Sequence, residues 1–221
     1  MPRAAFTLPP VIARVLLLIS LALILPACTT APESLRRHSA LWPARQQALT
    51  GLQSWRLQGR LALKSEDEGI QLGLRWQRQG PHHRIHLFGP LGSGQARLEL
   101  NEAGAVLWDG KGQRHEGESG QELLYRVTGW LLPVDALVYW VRGLPWPGLP
   151  SWARWDAQGR LRELTQDDWN VSYQKYQQFQ QYELPTSVRI LRQANDDVTE
   201  LEVRLVVDLW QPNVAMAGKH D

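Results

Sequence analysis

The apolar positions of this chain change their period along the sequence, and each period predicts a different kind of element. Residues 11–28 form an almost unbroken apolar run that is too short and wrongly flanked for a membrane-spanning helix. Between Leu41 and Leu52 the apolar residues recur at helical spacing, which predicts a helix with Pro43 in its first turn. From Trp55 onward the period becomes two, which predicts strands that bury one face.

Short alternating segments separated by turn residues continue the strand pattern on both sides of a helical region. They predict strands at 55–63, 70–77, 85–87, 96–100 and 105–107 before it, and at 160–166, 169–177, 184–192 and 199–209 after it. In the last strand one face is predicted to hold Leu201, Val203, Leu205, Val207 and Leu209. The helical region predicts one helix around Leu123, Leu124 and Val127 that stops at Gly129, and another over 133–142.

Together these elements predict a mainly β fold with three helices in a single domain. A sheet of roughly ten antiparallel strands curls strongly, and helices with apolar faces need a surface to cover. The economical arrangement is a part-closed barrel with the helices over its mouth. The pattern alone leaves open whether the centre is filled or encloses an apolar pocket.

The first apolar run ends at Leu25-Pro26-Ala27-Cys28, and Cys28 is the only cysteine. A positive start, a short hydrophobic stretch and a small residue before the cysteine resemble a bacterial lipobox, in which the thiol is acylated and the peptide is cut before it. We therefore expect a signal peptide at 1–27, an acylated anchor and tether at 28–38, the domain at 39–210 and a disordered tail at 211–221. An ordinary signal peptide with a coincidental cysteine is the alternative.

The charge and cysteine content exclude some classes of function. The chain has 24 Lys and Arg against 22 Asp and Glu, but Arg3 and Arg14 lie in the predicted signal peptide. The mature chain is then formally neutral, which argues against nucleic-acid binding through a basic field. An acylated cysteine leaves no thiol for disulfides, so packing has to stabilise the domain. The 11 tryptophans predict an aromatic core or an aromatic cavity.

The histidines and acids do not converge on a metal or catalytic site. On one predicted strand, His82 and His86 share a face but lie about 13 Å apart, and His83 points the other way. The segment 104–111 has the wrong spacing for a phosphate loop, and adjacent Asp167 and Asp168 face opposite sides of an extended chain. We therefore expect no metal, no cofactor and no enzymatic activity.

The connection between the predicted strands 85–87 and 96–100 carries a leucine among glycines. Hairpin connections normally present polar residues, yet this one holds Leu91 between Pro90 and Gly92. Flanking glycines allow the leucine to project from the sheet, and on a membrane-tethered protein a projecting leucine suggests shallow insertion into lipid. The alternative is that Leu91 folds under and plugs the end of the barrel.

A set of short features in a fixed order extends over essentially the whole chain. They are the lipobox, Trp55 with Gly59-Arg60, Trp76-Gln77, the 89–92 loop, Gly112-Gln113-Arg114, Leu123-Leu124 to Gly129, Trp140 to Gly143-Leu144-Pro145, Trp169 with Tyr173 and Tyr176, and Leu184-Pro185. In this order they resemble LolB, the family of outer-membrane lipoprotein receptors of Gram-negative bacteria. The resemblance implies an open half-barrel of about ten or eleven antiparallel strands wrapped around three helices and enclosing a hydrophobic cavity.

The resemblance also implies partners and a location. The protein would be a monomer that accepts acylated lipoproteins from the periplasmic carrier LolA and inserts them into the inner leaflet of the outer membrane without ATP. Leu91 matches the family's protruding loop leucine, which is implicated in insertion. Thr29 stands where an aspartate would signal retention in the inner membrane, so the family's sorting rule predicts a lipid anchor in the outer membrane facing the periplasm. The extra tryptophans Trp146, Trp152 and Trp155, and Gly94 in the loop, depart from the family pattern.

The candidate cavity walls are the large apolar residues on the predicted inward faces of strands and helices. They are Leu61, Leu72, Leu74, Trp76, Leu98, Leu100, Leu123, Val127, Leu137, Val141, Val203 and Leu205. The alternative is that these residues form a solid core. In that case the chain would be a structural lipoprotein that docks other proteins in an envelope assembly.

Overall fold

The computed structural model describes residues 33–65, 68–89, 95–194 and 199–213. Its helices are α1 (Glu33–Thr50), α2 (Gly120–Thr128) and α3 (Val134–Trp140). Its strands are β1 (Ser54–Lys64), β2 (Gly69–Gln79), β3 (His82–Phe88), β4 (Ala96–Asn101), β5 (Gly104–Trp108), β6 (Arg114–Gly117), β7 (Trp152–Trp155), β8 (Leu161–Gln166), β9 (Trp169–Phe179), β10 (Tyr182–Arg192) and β11 (Leu201–Pro212).

The strands form one 11-stranded sheet in the order β6-β5-β4-β3-β2-β1-β11-β10-β9-β8-β7. Every neighbouring pair is antiparallel. The first and last strands pair in the middle, and within the described ranges the outermost strands β6 and β7 do not pair with each other. This confirms the predicted fold class, an open antiparallel sheet with three helices.

The two outermost strands were absent from the predicted elements. Both β6 and β7 have four residues that alternate between exposed and half-buried positions, with none fully buried. An edge strand with no buried face gives little apolar alternation for a sequence pattern to detect. Pairing with β5 and β8 therefore determines that these segments are strands.

The two central helices begin and end close to where the sequence predicts. Ser119 caps α2, since its side-chain oxygen accepts a hydrogen bond from the Glu122 backbone N–H at 3.2 Å, and Gly129 ends the helix with a φ of 75°. At Gly120 a Cβ would lie 2.6 Å from the Leu100 side chain, so the start of α2 packs directly on β4. The third helix is shorter than its predicted range of 133–142.

The first helix corrects one predicted boundary. It begins at Glu33, inside the segment predicted as tether, and Pro43 lies within it instead of in its first turn. The residues before Leu41 carry no apolar period, so the pattern could not reveal the earlier start. The helix is joined to the sheet by an ion pair from Arg45 to Glu183 and by Trp42, whose ring lies 6.0 Å from that of Trp155.

A β-bulge in β11 corrects a second prediction. Gln58 pairs with Leu209 and the next residue, Gly59, pairs with Val207, so Asp208 is an extra residue on β11. Beyond the bulge, the residues that faced inward face outward and the reverse. Leu209, predicted to be buried, is 38% exposed, whereas Trp210 is 2% exposed. The strand continues to Pro212, so the predicted tail at 211–221 begins too early, and residues 214–221 lie outside the described ranges.

The buried tryptophans pack in two separate groups. The Trp55 ring contacts Trp76 at 5.3 Å and Trp210 at 5.1 Å, and Trp140 contacts Trp169 at 6.0 Å, between ring centroids. All five of these side chains are at most 5% exposed. The tryptophans therefore build an aromatic core, the first of the two predicted uses.

Candidate functional site

A cavity of about 470 Å³ lies between the inner face of the sheet and the helices α2 and α3. Its walls come from β1 to β5, from β10 and β11, and from both helices. The side chains are mainly leucine, valine and isoleucine, and Trp76 is the one aromatic residue among the described residues that line it. Such a surface excludes water and suits an aliphatic ligand.

The structure brings most of the candidate cavity residues together. Those that line the cavity are Leu61, Leu74, Trp76, Leu98, Val127, Leu137, Val141, Val203 and Leu205. These residues lie on the inward face of each strand or on the apolar stripe of each helix, the two faces that the sequence periods of 2 and 3.6 predict.

Three candidates lie outside the lining, and each has a structural reason. Leu100 packs beneath the start of α2 against Gly120, and Leu123 is fully buried against Gly117 of β6. Leu72 lies on the part of β2 that extends beyond its pairing with β3, which begins at Gly73. Leu72 therefore lacks the neighbouring strand that completes the wall.

Several residues of the cavity wall and the polar rim were not among the residues predicted from the sequence. The apolar residues missed are Leu63, Ile85, Leu87, Ala96, Leu107, Leu124, Leu132, Val134 and Ile190, and the rim adds Asp109, Gly110, Lys111 and Thr128. Most of the apolar ones belong to the same alternating faces, so a complete reading of those faces would have found them. The rim could not be found, because its turn contributes to the cavity only through the curvature of the sheet.

The rim turn between β5 and β6 is held by one carboxylate. Asp109 Oδ1 accepts hydrogen bonds from the backbone N–H groups of Lys111 and Gln113, both at 2.9 Å, and Oδ2 lies 3.0 Å from His115 Nε2. The hydrogen bond with His115, followed by those to the backbone, holds the pKa of Asp109 below its ordinary value. The carboxylate therefore fixes the turn in its ionised form, while Gly110 and Lys111 remain exposed at the rim.

The rim lies at the end of the sheet where β3 ends and β4 begins. Leu87 and Ala96, which pair across these two strands, both line the cavity. Residues 90–94 connect the strands at this end, and the predicted insertion residues Pro90, Leu91 and Gly92 are among them. These three residues and Cys28 lie outside the described ranges.

Two polar side chains, His83 and Arg142, lie close to the cavity-lining Trp76. Trp76 Nε1 donates a hydrogen bond to His83 Nδ1 at 3.2 Å, and burial, with the positive charges of Arg78 and Arg142, lowers the pKa of His83 to about 3. Arg142 is 1% exposed, and its Nη1 donates to the carbonyl oxygens of Leu49 at 2.9 Å and Leu52 at 3.1 Å. Burial lowers the pKa of Arg142 to about 10, so it stays charged at neutral pH and binds the end of α1.

The extra tryptophans lie away from the cavity. Trp155 contacts Trp42 of α1, the Trp146 backbone N–H donates to Gln166 Oε1 at 2.7 Å, and Trp152 is 57% exposed. None of the three is among the described cavity-lining residues, so they do not alter the shape of the cavity.

Among the described residues, no group of three or more His, Cys, Asp or Glu side chains is placed to hold a metal ion. A search of the same residues for helices found none with the length and apolar character needed to cross a membrane.

Comparison with known proteins decides the family. The family model described as "Outer membrane lipoprotein LolB" matches residues 53–210, which include most of β1 to β11 and every described cavity-lining residue. The chain belongs to the LolB family. It is 39% identical over 173 residues to the outer-membrane lipoprotein LolB of Pseudomonas aeruginosa, covering 77% of this chain and 80% of that protein. It is 34% identical over 203 residues to LolB of Pseudomonas syringae, covering 90% and 96%.

The fold also resembles a solved structure of low sequence identity. A LolA superfamily protein from Nitrosomonas europaea superposes with a TM-score of 0.50 at 7% sequence identity, covering 81% of this chain and 94% of that one. At this identity the likeness concerns the fold alone.

Membership of the LolB family confirms several predictions about the chain as a whole. The protein is a lipid-anchored lipoprotein of the outer membrane facing the periplasm, with the role of a lipoprotein receptor. It is not an enzyme, as the sequence predicts.

Proposed function

We propose that the cavity binds the acyl chains of lipoproteins that this protein accepts from a LolA-like periplasmic carrier and releases into the inner leaflet of the outer membrane. The observation that carries the proposal is an aliphatic cavity with its rim at the end of the sheet that carries the predicted insertion loop. Entry of the acyl chains, their shelter and their release would then occur at one end of the molecule.

The cavity meets a need set by solvation. Each CH₂ group that leaves an apolar environment costs about 0.8 kcal/mol, so one acyl chain exposed to water costs roughly 12 kcal/mol. An acylated protein therefore cannot cross the periplasm as a free solute. A volume of about 470 Å³ is within the usual range for pockets that enclose an organic ligand, and the aliphatic lining matches an acyl chain.

Relative affinities can drive the transfer without ATP. If the cavity binds acyl chains more tightly than the carrier and less tightly than the bilayer, flow from carrier to membrane is downhill at both steps. One chain supplies the whole cavity, so a monomer suffices. The role of Cys28 is to hold the domain beside the target leaflet.

A bulky side chain in the cavity tests the proposal. The chain starting at residue 29 retains the whole described sheet and core, and it should accept an acylated protein from a loaded carrier in a pull-down assay. Val127 lines the cavity, so Val127→Trp should reduce acceptance severalfold, because the indole occupies the volume that an acyl chain needs.

The matched control places the same side chain on the outer face. Val206 is 40% exposed, and Val206→Trp should leave acceptance unchanged. Equal acceptance by both variants would contradict an acyl-binding cavity. If the unaltered chain accepts no acylated protein, the structural-lipoprotein alternative is favoured.

A charge in the insertion loop tests the release step. We expect Leu91→Glu to accept lipoprotein normally from the carrier but to release it slowly into liposomes, because a buried carboxylate is costly in lipid. Leu209→Glu, at an outward position of β11 that is 38% exposed, is the control and should release normally. Equal loss of acceptance and release in Leu91→Glu would instead mean that Leu91 is structural.

A further inference from the structure

One row of side chains crosses the outer face of the sheet from β2 to β6. Arg75 pairs with His86, His86 with Arg97, Arg97 with Trp108, and Trp108 with Arg114, each on the next strand. We call these five residues the outer basic row. We call the end of the sheet where residues 90–94 connect β3 to β4 the loop end. The outer basic row contains no carboxylate, whereas the neighbouring row on the side away from the loop end contains Glu99 and Glu116.

Aromatic rings hold the arginines of this row. The Arg97 guanidinium lies 3.9 Å from the centroid of Trp108, with Arg114 at 5.9 Å from the same ring. Arg75 lies 5.0 Å from the centroid of Phe88, whose ring covers Gly73 on the neighbouring strand. Cation–π contacts fix the guanidinium groups while leaving much of their hydrogen-bonding edge unused.

The cations of the row are only partly neutralised. Arg75 forms no ion pair within the described part of the chain, whereas Arg114 is paired with Glu116. Arg97 meets Glu99 at 3.7 Å, through an oxygen that also pairs with Arg84 at 3.1 Å. Arg97 Nε has no hydrogen-bond partner among the described residues. Burial, followed by the charges of Arg97 and Arg84, lowers the pKa of His86, which reports the positive surroundings.

The row borders a groove close to the loop end of the sheet. The groove has a volume of about 500 Å³ and its lining includes the row residues Arg75, His86, Arg97 and Trp108. The other lining residues are Leu87, Phe88, Gln95, Ala96, Asp109, Gly110 and Gly112, and the Asp109 carboxylate is already bound by the rim turn and His115. His86 is two residues from Phe88, where β3 ends, so it lies roughly 7 Å from that end. This is within about one Debye length of any membrane that the loop end touches.

We propose that the outer basic row binds the phosphate groups of phospholipids at the membrane surface, and so orients the loop end of the protein on the leaflet that receives the cargo. Arginine recognises phosphate oxygens through paired N–H donors, and tryptophan is enriched at the level of lipid headgroups. The inference rests on the proposed release into a bilayer, to which it adds a specific lipid contact.

A phospholipid surface explains the row better than an acidic protein does. A carrier that passes acyl chains to the cavity has to meet its rim, whereas the side chains of the row lie on the outer face of the sheet wall. The groove and the cavity meet only at this edge, where they share Leu87, Ala96, Asp109 and Gly110. If the loop end of the sheet enters a bilayer, the lipid contacts both the inner and the outer face of the sheet. Binding to the carrier is therefore treated as the competing outcome of the test.

The experiment measures flotation with vesicles of phosphatidylethanolamine and phosphatidylglycerol, using the chain from residue 29 without cargo. We expect salt-sensitive binding that falls about tenfold in the double variant Arg75→Gln, Arg97→Gln, because each arginine near an anionic surface contributes to binding. The control, Arg154→Gln with Arg162→Gln, removes the same charge from exposed positions of β7 and β8 and should bind normally. Arg75→Gln alone, at an exposed residue without an ion pair, should show part of the loss if the double variant folds poorly.

Two results would overturn the inference. One is an equal fall in both double variants, which would indicate net charge and not this row. The other is unchanged flotation with reduced acceptance from the carrier, which would assign the row to an acidic protein surface. Acceptance from the carrier is measured without vesicles, so failure of the unaltered chain there would count against the proposed function and leave the lipid contact to be judged by flotation.

Discussion

At the scale of single residues, a few buried or half-buried polar groups bind the tryptophans and the end of α1. Gln166 accepts hydrogen bonds from Trp140 Nε1 at 3.0 Å and from the Trp146 backbone N–H, and it donates to the Trp146 carbonyl at 2.8 Å. His83 accepts from Trp76, and Arg142 satisfies the carbonyl groups at the end of α1. Each group is retained inside because a partner compensates for its lost hydration.

The protonation of His83 should make stability depend on pH. The folded protein keeps His83 neutral down to a pKa of about 3, whereas the unfolded chain takes up a proton near the ordinary value of 6.5. As the pH falls below 6.5, the unfolded state gains a proton that the folded state lacks, so the free energy of unfolding should drop by about 2 kcal/mol by about pH 5.

Urea unfolding at several pH values measures this effect. The variant His83→Asn keeps an acceptor for Trp76 Nε1 but does not titrate, so it should lose this part of the pH dependence. The exposed neighbour offers a control, His82→Asn, which should retain it. An unchanged slope in His83→Asn would contradict the assignment.

At the scale of elements, irregularities in the strands decide which residues face inward. The bulge at Asp208 turns Trp210 into the core and Leu209 outward. It lies opposite Gly59, where a Cβ would be 2.2 Å from the Val206 carbonyl oxygen. The close approach of the two backbones therefore requires glycine, and the register of the two central strands depends on it.

Replacing this glycine should destabilise the sheet at its centre. We expect Gly59→Ala to lower the free energy of unfolding by about 2 kcal/mol, since the added methyl group meets backbone that cannot move away. Gly69→Ala is the matched control, because the nearest atom to its Cβ would be 3.9 Å away. Urea denaturation compares the two, and equal stability would show that the bulge tolerates a side chain.

At the scale of the whole molecule, the interior contains both a packed core and a cavity. Tryptophans pack in two groups of the core, while aliphatic side chains and Trp76 form the walls of a cavity of about 470 Å³. Side chains that line a cavity make fewer dispersion contacts than side chains in a packed core, which lowers the stability of the fold. Occupancy by an apolar ligand should therefore stabilise the fold.

Palmitate offers a direct measurement of this coupling. At a free concentration about a hundred times its Kd, a ligand specific for the folded state adds about 2.7 kcal/mol, which should raise Tm by several degrees. The increase should be absent in Val127→Trp and retained in Val206→Trp when followed by circular dichroism. The same increase in both variants would place the ligand outside the cavity.

The sequence predicted which residues face inward wherever a local hydrophobic period determines it. The prediction failed where contacts with other elements determine which residues line the cavity. Alternation along β1, β2 and β4 correctly indicated inward residues such as Leu61, Leu74 and Leu98. The same reasoning placed Leu100 in the cavity, although the start of α2 covers it, and it could not foresee the bulge beyond Val207. The outer basic row was equally hidden, because its successive members are 6 or 11 residues apart in the sequence and are aligned only by strand register.

The sequence by itself determined the class of the protein: an apolar run ending at a lone cysteine, strands with one buried face, and helices with one apolar stripe. These properties are local, since they follow from the chemistry and spacing of neighbouring residues. Only the tertiary structure decided that the interior combines packed tryptophans with an aliphatic cavity, and which turn forms the rim of that cavity. The physical reason is that a cavity is the space that packing leaves between distant segments, and no local pattern encodes where distant segments fail to meet.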